Sequence, residues 1–295
     1  MSNLIPGNQK HLNLDNRLFI EKSLNEGRSF KDIARYLCKD PTTISKEVKL
    51  HRLSDWYHKG TFYNAHNFCI HYEGYNNYRK LVTKIFDYIN DSPEQLLITG
   101  SSAGGFGAAI LADDAIELFN NPQDVTVHVD SSLLINENWH DVMVDEWNSP
   151  KAFSDVVTSD NITLDSLVAL HNKRGNVKIL FDCSIRDYNL SMAQRFFDEG
   201  SQKDMPLTIG KAEGDRFQQL LKKMVADMQE QIPGCGIYIW DEVTQKDGHL
   251  TVHTATGTKI YFDKRGKNPS IAEWLENAMN GNVESFGLEL LDRDY

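Results

Sequence analysis

Six consecutive residues, Gly100-Ser101-Ser102-Ala103-Gly104-Gly105, hold a serine between glycines at the spacing Gly-x-Ser-x-Gly. A serine hydroxyl becomes a useful nucleophile only when a histidine takes its proton. That imidazole in turn needs a carboxylate to hold its tautomer and balance its charge. An apolar run at 95–99 (QLLIT) precedes the string and a small-residue run at 106–119 (FGAAILADDAIELF) follows it, an order that reads as strand, sharp turn and helix. Such a turn forces the serine into a cramped backbone conformation, so glycine is expected two residues before and two after it, where strand and helix close together. Ser102 is the candidate nucleophile. A phosphate-binding loop is the other glycine-rich option, but no Lys-Ser or Lys-Thr follows the glycines.

The elements that must position Ser102 and its partners lie beyond residue 71. Apolar runs at 125–129, 177–181 and 236–240 read as further strands, and helical periodicity recurs at 75–89, 164–171, 190–197, 217–231 and 271–279. In the segment 75–89 the apolar residues are Leu81, Val82, Ile85, Phe86 and Ile89, which predicts an amphipathic helix. Strands alternating with helices predict an α/β class: an α/β-hydrolase-like, mostly parallel sheet with helices on both faces. In such a sheet the chemistry gathers beyond the carboxyl ends of the strands, and in α/β-hydrolases the acid and then the histidine follow the serine along the chain.

That order leaves a short search. Asp182 and Asp187 follow the strand 177–181; Asp241, Asp247, His249 and His253 follow the strand 236–240. Asp187, in a loop with room to turn toward the site, is preferred over Asp182 at the strand end, where a buried or capping role is expected. His249 and His253 are four apart in a loop, and for each both a role as the base and a place at the surface stand open. His128 and His140 are read as packing or exposed residues. No His-Glu-x-x-His or comparable spacing points to a metal.

The first 71 residues are of another kind. Apolar positions from Leu12 to Leu24 recur at helical spacing until Gly27. Ser29 is placed to cap a second helix with Phe30, Ile33, Ala34 and Leu37 on one face, and Asp40-Pro41 opens a third. On that third helix Thr42, Thr43, Ser45, Lys46 and Lys49 surround the apolar Ile44 and Val48. Two short helices and a tight turn, the second helix rich in hydroxyls and lysines, fit a helix-turn-helix. Thr42, Thr43 and Ser45 are candidates to reach base edges; Lys46, Lys49 and Arg52 are candidates for phosphates.

Charge divides the chain at the same place. Residues 1–71 hold 11 Lys and Arg against 7 Asp and Glu, a net of +4, whereas residues 72–295 hold 20 against 35, a net of −15. The head suits a polyanion, while the body repels one. Cys38, Cys69, Cys183 and Cys235 are scattered without metal or disulfide spacing and are expected to be reduced and mostly buried. No run of about 18 apolar residues occurs and the first 30 residues lack an apolar centre, so a cytoplasmic protein with no membrane partner is expected.

Two resemblances refine these readings. HLNLDNRLFIEKSLNEGRSFKDIARYLCKDPTTISKEVKLHR, continuing through RLSDWYHKGTFYNAHNFCIH, resembles the amino-terminal helix-turn-helix of insertion-sequence-thirty family transposases. The resemblance implies recognition of duplex DNA at the ends of the element; Cys38 stands where that family commonly has a turn glycine. Of the cysteine-rich stretch that follows in the family only Cys69 remains, and the acidic-triad catalytic domain has no match, so transposition is not implied.

The blocks GYNNYRKLVTKIFDYI, EQLLITGSSAGGFGAAI, HVDSS, ILFDCSIRDYNL, VHTAT and IAEWLENAMNGN resemble the pectinacetylesterase and Notum family of serine esterases over about residues 72–281. This resemblance implies an acyl-ester substrate, no metal or organic cofactor, Ser102 as nucleophile, Asp187 as acid and His253 as base, with His249 in reserve. It also implies the Ala103 N–H as one oxyanion donor. The family's first strands and their glycine-rich oxyanion loop precede the Gly74-Tyr75 block, a place occupied here by the helix-turn-helix head. The whole reads as a DNA-binding head, 1–71, joined to a truncated α/β-hydrolase body, 72–295.

Overall fold

Backbone contacts divide the chain into two units, Met1–Tyr72 and Glu73–Tyr295. The computed structural model describes Leu12 and residues 14–51, 74–89, 92–199 and 208–295. Arg52, Cys69 and the resemblance carried by residues 52–71 lie outside the described residues.

Among the described residues the head forms three helices, α1 (Leu14–Asn25), α2 (Phe30–Leu37) and α3 (Pro41–His51). Their boundaries follow from local chemistry. Gly27 takes a left-handed φ of 75° after α1. The Ser29 hydroxyl accepts the Asp32 N–H at 3.2 Å, and Asp40 Oδ1 accepts the Thr42 N–H at 2.8 Å, so each helix start has a side-chain acceptor for an otherwise unpaired donor. Cys38 ends α2 at φ 52° in the left-handed region, the conformation a turn glycine ordinarily supplies. It is exposed there, contrary to the expectation of mostly buried cysteines, while Cys183 is buried and Cys235 half-buried. Ile20, Ile33, Ala34, Ile44 and Val48 close the head's core, and burying each large aliphatic side chain contributes about 1.5–3 kcal/mol.

The body begins with α4 (Gly74–Ile89), followed by β1 (Gln95–Ser101), α5 (Ala103–Leu118) and β2 (Asp124–Asp130). Three short helical segments follow, α6 (Trp139–Asp141), a π-helical turn (Val142–Glu146) and α7 (Lys151–Ser154), which sequence periodicity does not single out. Next come α8 (Ile162–Lys173), β3 (Lys178–Ser184), α9 (Tyr188–Asp198), α10 (Lys211–Gln231) and β4 (Gly236–Trp240). A small hairpin of β5 (Val243–Gln245) and β6 (Leu250–Thr251) precedes α11 (Ile271–Met279).

Among the described residues the four main strands form one parallel sheet in the order β1-β2-β3-β4, with β1 at an edge, so the body is α/β as the alternation predicts. Alternate residues separate its faces. Val125, Val127, Val129, Ile179, Phe181, Ile237 and Ile239 pack with α5, α8 and α10, while Leu180, Tyr238 and Trp240 pack with Ile271, Trp274 and Leu275 of α11. Helices therefore cover both faces.

The helix α4 differs from its expectation. Leu81, Ile85 and Ile89 are exposed, and no residue of α4 is fully buried. Instead Tyr75, Tyr78, Arg79, Val82 and Phe86 form the half-buried face. Tyr75 and Arg79 bond to Asp114 of α5, at 3.2 and 2.8 Å, and Phe86 meets the Phe119 ring edge-on. The polar anchor on Asp114 turns the helix, leaving the purely aliphatic stripe outward. No helix among the described residues is long and apolar enough to cross a membrane.

Candidate active site

Register across the sheet sets the site. Ser101 pairs with Asp130, Asp130 with Asp182 and Asp182 with Tyr238, so β1 and β2 end in one row beside Asp182, two residues before β3 ends at Ser184. Ser102 follows directly, at φ 54° and ψ −124°, a backbone conformation costly for any residue with a side chain. It occupies the N-cap position of α5, where serine normally spends its hydroxyl on a helix N–H, yet here the side chain makes no capping bond. The Ala103 N–H is the first of α5, with no intrahelical acceptor, and Ala103 is exposed.

The glycines explain how strand and helix close so tightly, with one correction. A Cβ on Gly100 would stand 2.1 Å from the Gly104 carbonyl oxygen, so position 100 must be glycine. A Cβ on Gly104 would meet nothing within 4 Å; the second constraint falls on Gly105, where it would stand 2.0 Å from Ser132 Oγ. The crowding after the serine comes from the β2 turn, whose side chains a string of residues around Ser102 does not reveal.

Asp187 and His253 come together. His253 Nδ1 lies 2.8 Å from Asp187 Oδ2, while Asp187 Oδ1 caps α9 by accepting the Leu190 N–H at 2.9 Å. Asp187 is fully buried rather than loosely placed in a loop, because it is the N-cap of α9. Burial raises its pKa by more than the bonds from His253 and Leu190 lower it. Burial disfavours charge on the His253 ring, but the Asp187 bond and charge, with the charge of Asp130, outweigh it and raise the imidazole above its ordinary value. The His253 side chain is 15 % exposed. Pairing at Nδ1 fixes the proton there and leaves Nε2 as the basic nitrogen.

The other candidates are occupied elsewhere. Asp182 Oδ1 lies 2.7 Å from His128 Nε2 and its Oδ2 accepts the Trp240 indole N–H at 3.0 Å. Burial, then the charge of Asp130, push the Asp182 carboxyl up to about 7. His128 Nδ1 lies 2.9 Å from Thr99 Oγ1, so both its ring nitrogens are engaged. His249 Nε2 lies 2.8 Å from Asp241 Oδ1, with the Tyr295 ring centred 4.3 Å away. His140 is exposed.

No hydrogen bond joins Ser102 Oγ to His253 among the described residues; the elements carrying them are linked through Asp130. The Asp130 carbonyl accepts the Ser102 N–H at 2.9 Å, and its buried carboxylate accepts the N–H groups of Ala255 and Thr256 at 3.1 and 2.9 Å. Ser132 Oγ donates to the Ser102 carbonyl at 2.6 Å.

Arg186, with a fully buried side chain, ties the remaining segments. Its guanidinium donates to the carbonyls of Lys211, Gly248 and His249 and pairs with Asp215 at 2.6 Å. Its backbone N–H reaches Thr251 Oγ1 and its carbonyl accepts the Thr251 N–H, holding the segment before Asp187 to the one before His253. Neither Asp130 nor Arg186 is singled out by sequence; the only signal is a charged residue set at the end of an apolar run. Among the described residues no group of three or more His, Cys, Asp or Glu is assembled to hold a metal. Surface clefts of about 510 and 340 Å³, lined in part by Lys264 and Glu273 and by Arg195 and Glu213, contain neither Ser102 nor His253.

In the head, Thr42, Thr43, Ser45, Lys46 and Lys49 are all exposed on α3, opposite the buried Ile44 and Val48. The Thr42 hydroxyl donates to Asp40 Oδ1 at 2.6 Å and is thus partly committed to the cap. No curated protein matches the chain. The helix-turn-helix domain family matches residues 8–51, which span all three helices of the head.

Proposed function

We propose that the body is a serine ester hydrolase. The observation that carries the reading is Ser102, held at φ 54° after β1 with a hydroxyl that makes no capping bond, in a body where His253 is paired with Asp187 in the chain order serine, acid, histidine. Ser102 Oγ attacks the ester carbonyl carbon as His253 Nε2 takes its proton, a contact that forms when substrate draws the two together. The Ala103 N–H at the start of α5 bonds the tetrahedral oxyanion. Collapse breaks the carbonyl–alkoxy bond, and the alcohol leaves with the proton from His253. Water, deprotonated by the same nitrogen, then releases the acid and restores Ser102. Asp187 holds the imidazole and balances its charge.

The resemblance to pectinacetylesterases directs the first substrates to acetyl and short acyl esters. Incubation of the full-length protein with a fluorophosphonate is expected to label Ser102, located by mass spectrometry, and Ser102→Ala to abolish both labelling and ester turnover. Undiminished hydrolysis by that variant refutes the assignment.

A second reading belongs to the head and rests on the helix-turn-helix match with the hydroxyl- and lysine-bearing face of α3. Here α3 enters the major groove of duplex DNA, Thr43 and Ser45 facing base edges and Lys46 and Lys49 facing phosphates. With duplexes bearing insertion-element ends, Lys46→Ala and Lys49→Ala should each reduce the slope of log affinity against log salt by about one. Absence of binding at low salt defeats this reading; binding by a protein that no fluorophosphonate labels makes DNA recognition the chain's activity and the body catalytically idle.

A further inference from the structure

We propose that Asp130 is a positioning residue that holds the His253 loop against the Ser102 turn, an inference that rests on the esterase reading. Asp130 ends β2 and its side chain is fully buried. A carboxylate taken out of water needs strong partners, and no Lys or Arg pairs with this one among the described residues. What it has are two successive backbone N–H groups, Ala255 at 3.1 Å and Thr256 at 2.9 Å, one residue beyond His253. Thr254, between them and the histidine, turns the chain at φ 60°. Ala255 is itself fully buried, so the loop is inserted rather than laid on the surface.

The same residue holds the nucleophile's backbone from the other side. Its carbonyl accepts the Ser102 N–H at 2.9 Å and also the Ser132 hydroxyl at 3.0 Å, which is shared with the Ser102 carbonyl. Ser102 is thereby restrained at both its N–H and its C=O by residues 130–132. With its main chain bonded to the serine and its side chain to the histidine loop, Asp130 is hydrogen-bonded to both reacting elements. Asp187 fixes the orientation of the ring; Asp130 fixes where the loop that carries it lies.

The test compares fluorophosphonate labelling rates of full-length wild type, Asp130→Ala and Asp130→Asn, with circular dichroism as the folding check. Asp130→Ala removes the acceptor and is expected to slow labelling by about 100-fold, the cost of an ångström-scale misplacement, with KM for p-nitrophenyl acetate nearly unchanged. Asp130→Asn keeps an acceptor oxygen and should stay within about tenfold of wild type.

The charged groups facing the His253 ring are Asp187, from the turn before α9, and Asp130, from β2. Removing the Asp130 charge should therefore move the acid limb of the labelling rate to lower pH in Asp130→Asn. A folded Asp130→Ala that labels like wild type overturns the proposal, as does an acid limb unmoved in Asp130→Asn, which decides alone if the alanine variant does not fold. A wild type that takes no label defeats the esterase reading itself, a result distinct from either.

Discussion

Two histidine–carboxylate pairs in the body have almost the same separation, through opposite ring nitrogens, and different surroundings. His253 and Asp187 approach to 2.8 Å, His128 and Asp182 to 2.7 Å, and both carboxylates are fully buried. The His128 ring is 1 % exposed, its second nitrogen lies on Thr99, and its aspartate is held by Trp240. The His253 ring keeps an open edge and a second nitrogen with no bond among the described residues. Both pairs contain the same groups, but the first leaves a ring nitrogen without a bond among the described residues, as the proposed base needs, whereas the second is closed into the core.

That comparison can be broken by exchanging the roles. His253→Ala should reduce ester turnover about as far as loss of the serine, on the order of 10⁶-fold in kcat, measured against Ser102→Ala with a chromogenic acetate. Asp187→Asn, which leaves the shape but presents the wrong tautomer, should cost about 10⁴-fold. Asp182→Ala should instead act on stability: leaving His128 and Trp240 without their acceptor costs about 3–5 kcal/mol, or roughly 6–20 °C in Tm by calorimetry, while labelling of Ser102 per folded molecule persists. Equal damage to labelling by the Asp182 and Asp187 variants would erase the distinction.

Smaller effects sharpen it. Because His253 must be neutral to act as base and its pKa is raised, kcat/KM should climb with pH through an apparent pKa above the ordinary imidazole value of about 6.5. On the esterase reading, activity should be lost on acidification from higher pH than a free imidazole gives. The third pair, His249 with Asp241, sits against Tyr295, and His249→Ala should change turnover by less than about threefold. A larger loss would return His249 to candidacy as the base.

Much of this was legible because it is local. The caps at Ser29 and Asp40, the stop at Gly27, and the strand-turn-helix around Ser102 depend on residues within a few positions of one another. The exposed stripe on α4 was not, because Asp114, 39 residues from Tyr75, decides which face turns inward. Gly105 likewise owes its necessity to Ser132. Asp187 and His253 were named from chain order and resemblance, but spacing alone left His249 and Asp182 standing beside them.

The sequence by itself determined the division into a basic helical head and an acidic α/β body, the order of elements and the position of the sharp serine turn, since periodicity, caps and glycines act over single turns of chain. Only the tertiary structure decided which histidine meets which carboxylate, because residues 130, 187 and 253 become neighbours through the parallel register of β2 and β3 and the buried bonds of Asp130 and Arg186. Those bonds form between segments that no local pattern connects.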